Sequence, residues 1–245
     1  MMSTNSNTLL LCANCGKGEE ESVALKNCVA CKIVKYCSRD CQKAHRSQHK
    51  KECRKRAAEL HAEALFKQPP QDQDCPICFL RLPTLDTGRR YNSCCGKVLH
   101  AGALLGDDQL CPFCRTAAPT SDEEVIKREN KRIEVGDAQA IHNRGCDYAE
   151  GICGFPRDHA KALEFWYRAA ELCYATAYND IGHAYMHGRG VERDEKKAMH
   201  YFELAAMEGD EYARHNLGSL EGRVGNYDRA LKHYMIAWDL DIMNL

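Results

Sequence analysis

Between Cys12 and Cys53, eight residues able to bind a soft metal follow one another as C-x2-C and then C-x2-C-x5-C-x3-C-x7-H-x3-C. No other stretch restricts the fold as tightly. The ligands come as the pairs Cys12/Cys15, Cys28/Cys31, Cys37/Cys41 and His49/Cys53, each spaced to bring two donors to one side of a turn of chain. Tetrahedral zinc takes four such groups, so the run accounts for two zinc ions. A segment this short buries too little apolar surface to fold alone, whereas structural zinc supplies roughly 10–16 kcal/mol of apparent binding free energy at neutral pH. Metal binding and folding are therefore expected to be one event.

The whole chain has 245 residues, 16 cysteines and a formal net charge of −1, a length suited to one large domain or two to three small ones. Thirteen of the cysteines lie before residue 115, and the remainder is rich in Ala, Tyr and His. The N-terminus has no basic n-region, and Leu9–Leu11 is too short for a signal sequence. These thiols are expected in a reducing compartment, which makes the protein intracellular, cytoplasmic and/or nuclear. No apolar run approaches the length of a membrane span and no lipidation cysteine ends the chain, so no membrane partner is expected. A Walker loop, a nucleotide-binding glycine fingerprint and a G-x-S-x-G elbow are all missing, and no catalytic residue is expected.

Tyr36-Cys37-Ser38, Cys41-Gln42 and His49-Lys50-Lys51-Glu52-Cys53, set in this ligand order, closely resemble the MYND-type zinc finger over residues 12–53. The resemblance implies interleaved sites, with Cys12, Cys15, Cys37 and Cys41 on one zinc and Cys28, Cys31, His49 and Cys53 on the other. Spacing alone leaves that pairing open, although Cys37/Cys41 and His49/Cys53 are i, i+4 pairs that would share a helix face. His45 is expected to be solvated rather than a ligand. MYND fingers take short proline-containing peptides, which implies a protein or peptide partner, yet Arg46 stands where the family commonly has Trp. Residues 35–56 hold nine Lys/Arg against Asp40 and Glu52. With no interleaved aromatics to stack bases, these are expected to form a solvated helix face rather than a nucleic-acid site. Residues 54–74 are expected to be a helical extension that ends in the polar linker Gln68-Pro-Pro-Gln-Asp-Gln-Asp74.

A second cluster comprises Cys75-Pro-Ile-Cys78, Cys94-Cys95-Gly-Lys-Val-Leu-His100 and Cys111-Pro-Phe-Cys114-Arg115. It resembles a degenerate RING finger over 75–115. The cross-brace order of that family implies one site from Cys75, Cys78 and His100 and another from Cys95, Cys111 and Cys114, with Cys94 free to complete the second. The positions near Lys97 and Ala103, where a RING would have ligands, hold none. One zinc is expected here, two at most. Ile77, Pro112 and Arg115 stand where ubiquitin-ligase RINGs meet a ubiquitin-conjugating enzyme, and such a ligase acts by positioning a thioester rather than by a nucleophile of its own.

Beyond Cys114, Ser121 and Glu124 form a capping-box start for a helix reaching about Val135. The remainder repeats. Ala140, Ala177 and Ala213 each precede a glycine by five residues (Gly145, Gly182, Gly218), giving periods of 37 and 36. Gly151/Gly188, Gly154/Gly190, Asp158/Asp194 and Ala162/Ala198 continue the match. The pattern resembles Sel-1-like repeats, tetratricopeptide-related helix pairs, over residues 131–245. It is clearest in Ile181-Gly-His-Ala-Tyr-Met-His-Gly-Arg-Gly-Val191 and loses its Gly-x-Gly loop in the third unit, at Arg223-Val-Gly-Asn226. Gly136-Asp137 matches Gly209-Asp210, so the helix before it is expected to cap the array. Cys146, Cys153 and Cys173 are expected to be packing residues, and His183 and His187 surface or packing histidines.

The expected fold class is therefore small zinc-stabilised modules followed by an all-α helical-repeat solenoid, with boundaries at 12–53, 54–74, 75–115 and 116–245. The expected function is a zinc-binding protein–protein interaction scaffold. The alternative is a RING-type ubiquitin ligase that recruits its conjugating enzyme through 75–115.

Overall fold

The structure, a computed structural model, describes residues 11–18, 24–67, 75, 89–100 and 110–242; the side chains of Arg89, His100 and residues 238–242 lie outside that description. The chain gathers into two compact units, Met1–Leu65 and Phe66–Leu245.

In the first unit, β1 (Lys26–Asn27) pairs antiparallel with β2 (Lys35–Tyr36), Lys26 opposite Tyr36 and Asn27 opposite Lys35. Helix α1 (Arg39–Leu65) follows at once. Its start is set by Ser38, whose hydroxyl accepts from the Cys41 N–H at 3.2 Å. Cys37 consequently precedes the helix, and the expectation that Cys37 and Cys41 share a helix face is corrected. The buried core is Cys12, Leu25, Cys28, Cys31 and Tyr36. Three of those five are cysteines, so the ligands themselves fill the interior that apolar side chains fill in larger domains.

The second unit begins with β3 (Arg89–Asn92) paired antiparallel with β4 (Lys97–His100). Among the described residues seven helices follow: α2 (Asp122–Glu134), α3 (Ala138–Glu150), α4 (His159–Glu171), α5 (Ala175–His187), α6 (Glu195–Met207), α7 (Glu211–Arg223) and α8 (Tyr227–Ile242). Helix α3 packs on α4, α5 on α6 and α7 on α8; these hairpins stack through α4 on α5 and α6 on α7, and α2 covers α3. The period visible in the sequence has a direct steric cause. A Cβ placed on Gly145 would stand 2.5 Å from Trp166, on Gly182 2.6 Å from Phe202, and on Gly218 2.7 Å from Tyr234. Each hairpin closes by seating one aromatic ring against a bare glycine backbone, and the buried alanines Ala140, Ala162, Ala169, Ala177, Ala198, Ala205 and Ala213 keep neighbouring helices close.

Helix starts follow the aspartates. Asp137, Asp158, Asp194 and Asp210 each accept from first-turn N–H groups of α3, α4, α6 and α7, a cap typically worth about 1 kcal/mol. Helix α2 occupies its expected span, with Ser121 Oγ accepting from Glu124 N at 3.4 Å, but the Glu124 carboxylate accepts from the Thr120 N–H, one residue earlier than a capping box requires. Arg144, buried under α2, bonds Glu129 at 3.3 Å, Asn130 at 3.0 Å and Asp147 at 3.2 Å and lies over the Phe155 ring. A buried guanidinium with this many partners pins the cap to the first repeat.

Cys173 needs correction. It is exposed rather than packed, and its φ of +58° matches the left-handed turn occupied by Gly136 and Gly209 in the flanking units. What that turn requires is a left-handed backbone and not merely a small residue. Among the described residues no helix is long and apolar enough to cross a membrane.

Candidate metal centres

Among the described residues, four short turns of one design supply eight of the eleven thiols found in four-donor groups, and Cys37, Cys41 and Cys53 come from the end of β2 and from α1. The N–H of Gly16 donates to Cys12 O, Lys32 N–H to Cys28 O, Gly96 N–H to Asn92 O and Arg115 N–H to Cys111 O, at 2.8–2.9 Å. In each the fifth residue is left-handed: Gly16, Lys32, Gly96 and Arg115 have φ of +56° to +72°. Two of the turns sit in the same clasp, since Leu11 bridges Gly18 around the first just as Leu110 bridges Ala117 around the last. The third turn departs from the others, because Asn92 occupies the place of its first cysteine. The neighbouring Cys94 supplies the missing sulfur, which explains why two cysteines stand side by side there.

Backbone pairing decides how turns combine. The Ala13 N–H donates to Lys35 O at 2.9 Å, so the first turn lies against β2, directly before Cys37. The donor atoms of Cys12, Cys15, Cys37 and Cys41 therefore gather within 4.8 Å of one another, as do those of Cys28, Cys31, His49 and Cys53, and those of Cys94, Cys95, Cys111 and Cys114. Within them, Cys15 Sγ lies 3.5 Å from Cys37 Sγ, Cys28 Sγ 3.7 Å from Cys53 Sγ, Cys31 Sγ 3.1 Å from His49 Nε2, and Cys95 Sγ 3.7 Å from Cys111 Sγ. Four thiolates about 2.3 Å from a tetrahedral zinc stand about 3.8 Å apart, so the sulfur spacings fit that ion. His45 is turned to other use, its Nδ1 lying 3.0 Å from the Tyr36 hydroxyl.

The protonation pattern of the thiols also suits a dication. Burial opposes ionisation of Cys12 and Cys28, yet nearby backbone N–H groups, with His49 at Cys28, bring both down to about 6. Cys37, hydrogen-bonded to Cys15 and Cys41, goes up to about 12. Burial and the Cys28 hydrogen bond push Cys53 up to about 11. In the third cluster the Thr116 hydroxyl lowers Cys114 to about 6, while burial and the Cys114 hydrogen bond raise Cys94. Each group thus shares protons between thiolates and thiols that cannot all ionise side by side, and a bound dication replaces those protons.

The third cluster is fastened to the helical array within the second unit. Tyr91 Oη donates to Asp137 Oδ2 at 3.0 Å, and Arg132 pairs with the same oxygen at 2.7 Å. Arg128 Nη1 donates to Ala117 O at 2.8 Å. Between finger and α2 lies a groove of about 600 Å3, with Pro112 on one side and Val125, Arg128 and Glu129 on the other. Pro112 thus faces the protein's own cap helix, whereas Arg115 is exposed. Cys75 is fully buried. Cys78, Ile77 and the His100 side chain lie outside the described residues, so the second set implied for the RING-like finger is not seen assembled.

His142, Cys146 and Asp180 also come together, with His142 Nε2 2.7 Å from Asp180 Oδ2. Nothing in the sequence periodicity signals the pairing, because it joins positions in different repeats. The Cys146 sulfur lies 3.7 and 3.9 Å from the two ring nitrogens of His142, nearly equidistant and hence off either lone-pair direction. This is the geometry of an interhelix staple rather than a metal site. The next repeat carries on the row, with Asn216 Nδ2 3.1 Å from Asn179 Oδ1 and from His183 Nε2, and His183 stacks on His187.

Comparison with known proteins agrees with this architecture. Residues 12–53 match the MYND finger family, and residues 138–172, 175–210 and 211–237 match the Sel1 repeat family. The chain carries a MYND zinc finger followed by three Sel1 repeats, two modules of the protein-interaction kind. It is 38% identical over 123 residues to the ERAD-associated E3 ubiquitin-protein ligase component HRD3B of Arabidopsis thaliana, covering 50% of this chain and 18% of that protein. It is 44% identical over 50 residues to the SET domain and MYND-type zinc finger protein 6 of Schizosaccharomyces pombe, covering 20% of this chain and 10% of the relative. The chain thus spans less than a fifth of either relative. A crystal structure of a Sel1 repeat protein from Oxalobacter formigenes is similar at 32% identity with a TM-score of 0.44, over 48% of this chain and 49% of that one.

Proposed function

We propose that the protein is a scaffold whose finger and helical repeats each hold a protein partner, with zinc as a structural element. The carrying observation is that three clusters among the described residues each present four donors, which leaves no open coordination position for water or substrate in them. Cys12, Cys15, Cys37 and Cys41 hold one zinc; Cys28, Cys31, His49 and Cys53 a second; Cys94, Cys95, Cys111 and Cys114 a third. Cys75, Cys78 and His100 offer three donors, one short of a structural zinc set, and a fourth ion there would exceed the expected three. Native mass spectrometry is expected to find three ions; two would remove the cluster at 94–114. The scaffold reading itself is tested by co-purification with the intact chain, Cys28→Ser and Gly182→Leu, the last placing a side chain where Phe202 sits. Each variant is expected to lose a different set of partner proteins. A set unchanged by both would overturn the scaffold.

A second reading, a ubiquitin-ligase component, is favoured by the exposed Arg115 beside Cys114 and by the similarity to the Arabidopsis ubiquitin-protein ligase component. An auto-ubiquitination assay beside Ile77→Ala and Arg115→Ala separates the two. Activity lost in both variants would establish the ligase, and silence across a broad panel of conjugating enzymes would remove it.

A further inference from the structure

We propose that the MYND finger takes an acidic peptide, a short extended segment that alternates Asp/Glu with an aliphatic anchor, in a groove running along α1. This deepens the scaffold reading and rests on it. The groove, of about 450 Å3, lies between the turn at Cys28–Cys31 and α1. One wall is a single row of cations: Arg39, Lys43, Arg46, Lys50 and Arg54 all line it. Their spacing of four, three, four and four residues keeps them on one helix face.

Most of these charges have no carboxylate partner among the described residues, while Asp40 reaches only Lys43 and the carboxylates farther along the helix are drawn to Arg56. Arg56, outside the groove, is paired with Glu59 at 3.1 Å and Glu63 at 2.9 Å. In the row itself only Lys43 has a carboxylate nearby, Asp40 at 4.0 Å, and both side chains are largely exposed, a pairing worth little. Among the described residues Arg39, Arg46, Lys50 and Arg54 make no ion pair. Like charges four apart on a helix repel, and a line of carboxylates laid against them relieves that repulsion.

Length and chemistry favour a peptide over a nucleic acid. From Arg39 to Arg54 the helix rises about 22 Å at 1.5 Å per residue, the span of about seven residues of extended chain. The facing wall is aliphatic, with Val29 88% exposed and Ala30 beside it. The groove's one phenol ring, Tyr36, is only 3% exposed and its hydroxyl is held by His45, so it offers no platform for a base to stack on. Arg46, where the family commonly has Trp, replaces an aromatic wall with a guanidinium that a carboxylate meets in a two-point bond.

The test is fluorescence anisotropy with the full-length, zinc-loaded chain and three labelled probes: a peptide alternating Leu or Pro with Asp or Glu, its Asn/Gln analogue, and a single-stranded DNA oligonucleotide. The acidic peptide is expected to bind at least about tenfold more tightly than the amide analogue, equivalent to about 1.4 kcal/mol. Arg46→Glu/Lys50→Glu and, separately, Val29→Asp should each cost a similar factor. Lys51→Glu/Lys55→Glu makes the same charge change off the row and should move affinity by less than about twofold. Native mass spectrometry checks that each variant keeps its zinc. Should the Glu pair fail that check, Arg46→Gln/Lys50→Gln takes its place, with a smaller loss expected. Equal binding of the amide analogue, or equal weakening by the off-row pair, would overturn the acidic preference while leaving the scaffold reading to the co-purification experiment. Tighter oligonucleotide binding that ignores Val29→Asp would assign the row to nucleic acid instead.

Discussion

The two cysteine-rich regions use the same turn and stand on different foundations. The finger at 12–53 forms a unit in which three of five buried core residues are cysteines, so its order depends on its two ligand sets. The region from Arg89 to Ala117 has one assembled four-cysteine set among its described residues, and belongs to the same compact unit as the helical array. There Tyr91, Arg128 and Arg132 bind it to the helices. A module that builds its interior from metal ligands is ordered by them, whereas the region around the third cluster is also tied by hydrogen bonds to neighbouring helices.

Metal removal should separate the two most strongly. Chelation, or Cys28→Ser, is expected to abolish amide protection throughout 24–53, since roughly 10–16 kcal/mol of metal binding is also folding energy there. Cys111→Ser should leave the cooperative unfolding of α2–α8 intact and part of the protection at Tyr91. Hydrogen exchange measures both, and equal collapse of the two regions would break the comparison.

Next in size is a pair of glycines. Both Gly16 and Gly96 are left-handed, but a Cβ on Gly16 meets nothing within 4 Å, while on Gly96 it would stand 2.2 Å from Arg132, which is held by Asp137. Gly16→Ala should cost about 1 kcal/mol of finger stability from backbone strain alone. Gly96→Ala should cost about 2–3 kcal/mol, because the Arg132–Asp137 contact must also yield. Thermal unfolding of the two variants resolves the difference.

In the finger, pH acts through the protons that zinc displaces, whereas the helical unit should show a pH effect that needs no metal. Burial disfavours the charged His142 ring, but the Asp180 hydrogen bond and Cys146 outweigh it and raise its pKa to about 10. Unfolded histidine titrates near about 6.5. The folded state therefore holds this proton more tightly, and the stabilisation is complete below about pH 6.5 and lost as pH rises through about 10. Denaturation of the helical transition across that range should show the decline, and His142→Gln should flatten it. The smallest effect is expected at Cys173. Cys173→Gly should stabilise the array by about 0.5–1 kcal/mol by relieving a left-handed backbone, the reverse of the loss at Gly16.

Much of this was legible in the chain. The 37- and 36-residue periods located the glycines that admit Trp166, Phe202 and Tyr234, because close packing leaves one residue type at each position. The aspartates recurring with that period turned out to be helix caps. What escaped were relations between distant residues that neither the repeat pattern nor the resemblance to a known finger carries. Adjacent Cys94 and Cys95 gave no sign that Asn92 opens their turn, and the repeat pattern gave none that His142 would find Asp180 in the next unit. Cys173 looked like a small packing residue because sequence shows size and not φ.

The sequence by itself determined the ligand inventory, the repeat length and the helix boundaries, since spacing, capping chemistry and steric fit act over a few residues. Spacing left open how the ligands are shared, which the resemblance implied, and the tertiary structure supplies its physical cause, a backbone bond between Ala13 and Lys35 that brings the first turn to β2. The tertiary structure also decided that the third cysteine cluster is tied to α2, and that one helical row of cations lines a groove with a single carboxylate near it. Those depend on which surfaces pack together, and packing is settled only when the whole unit closes.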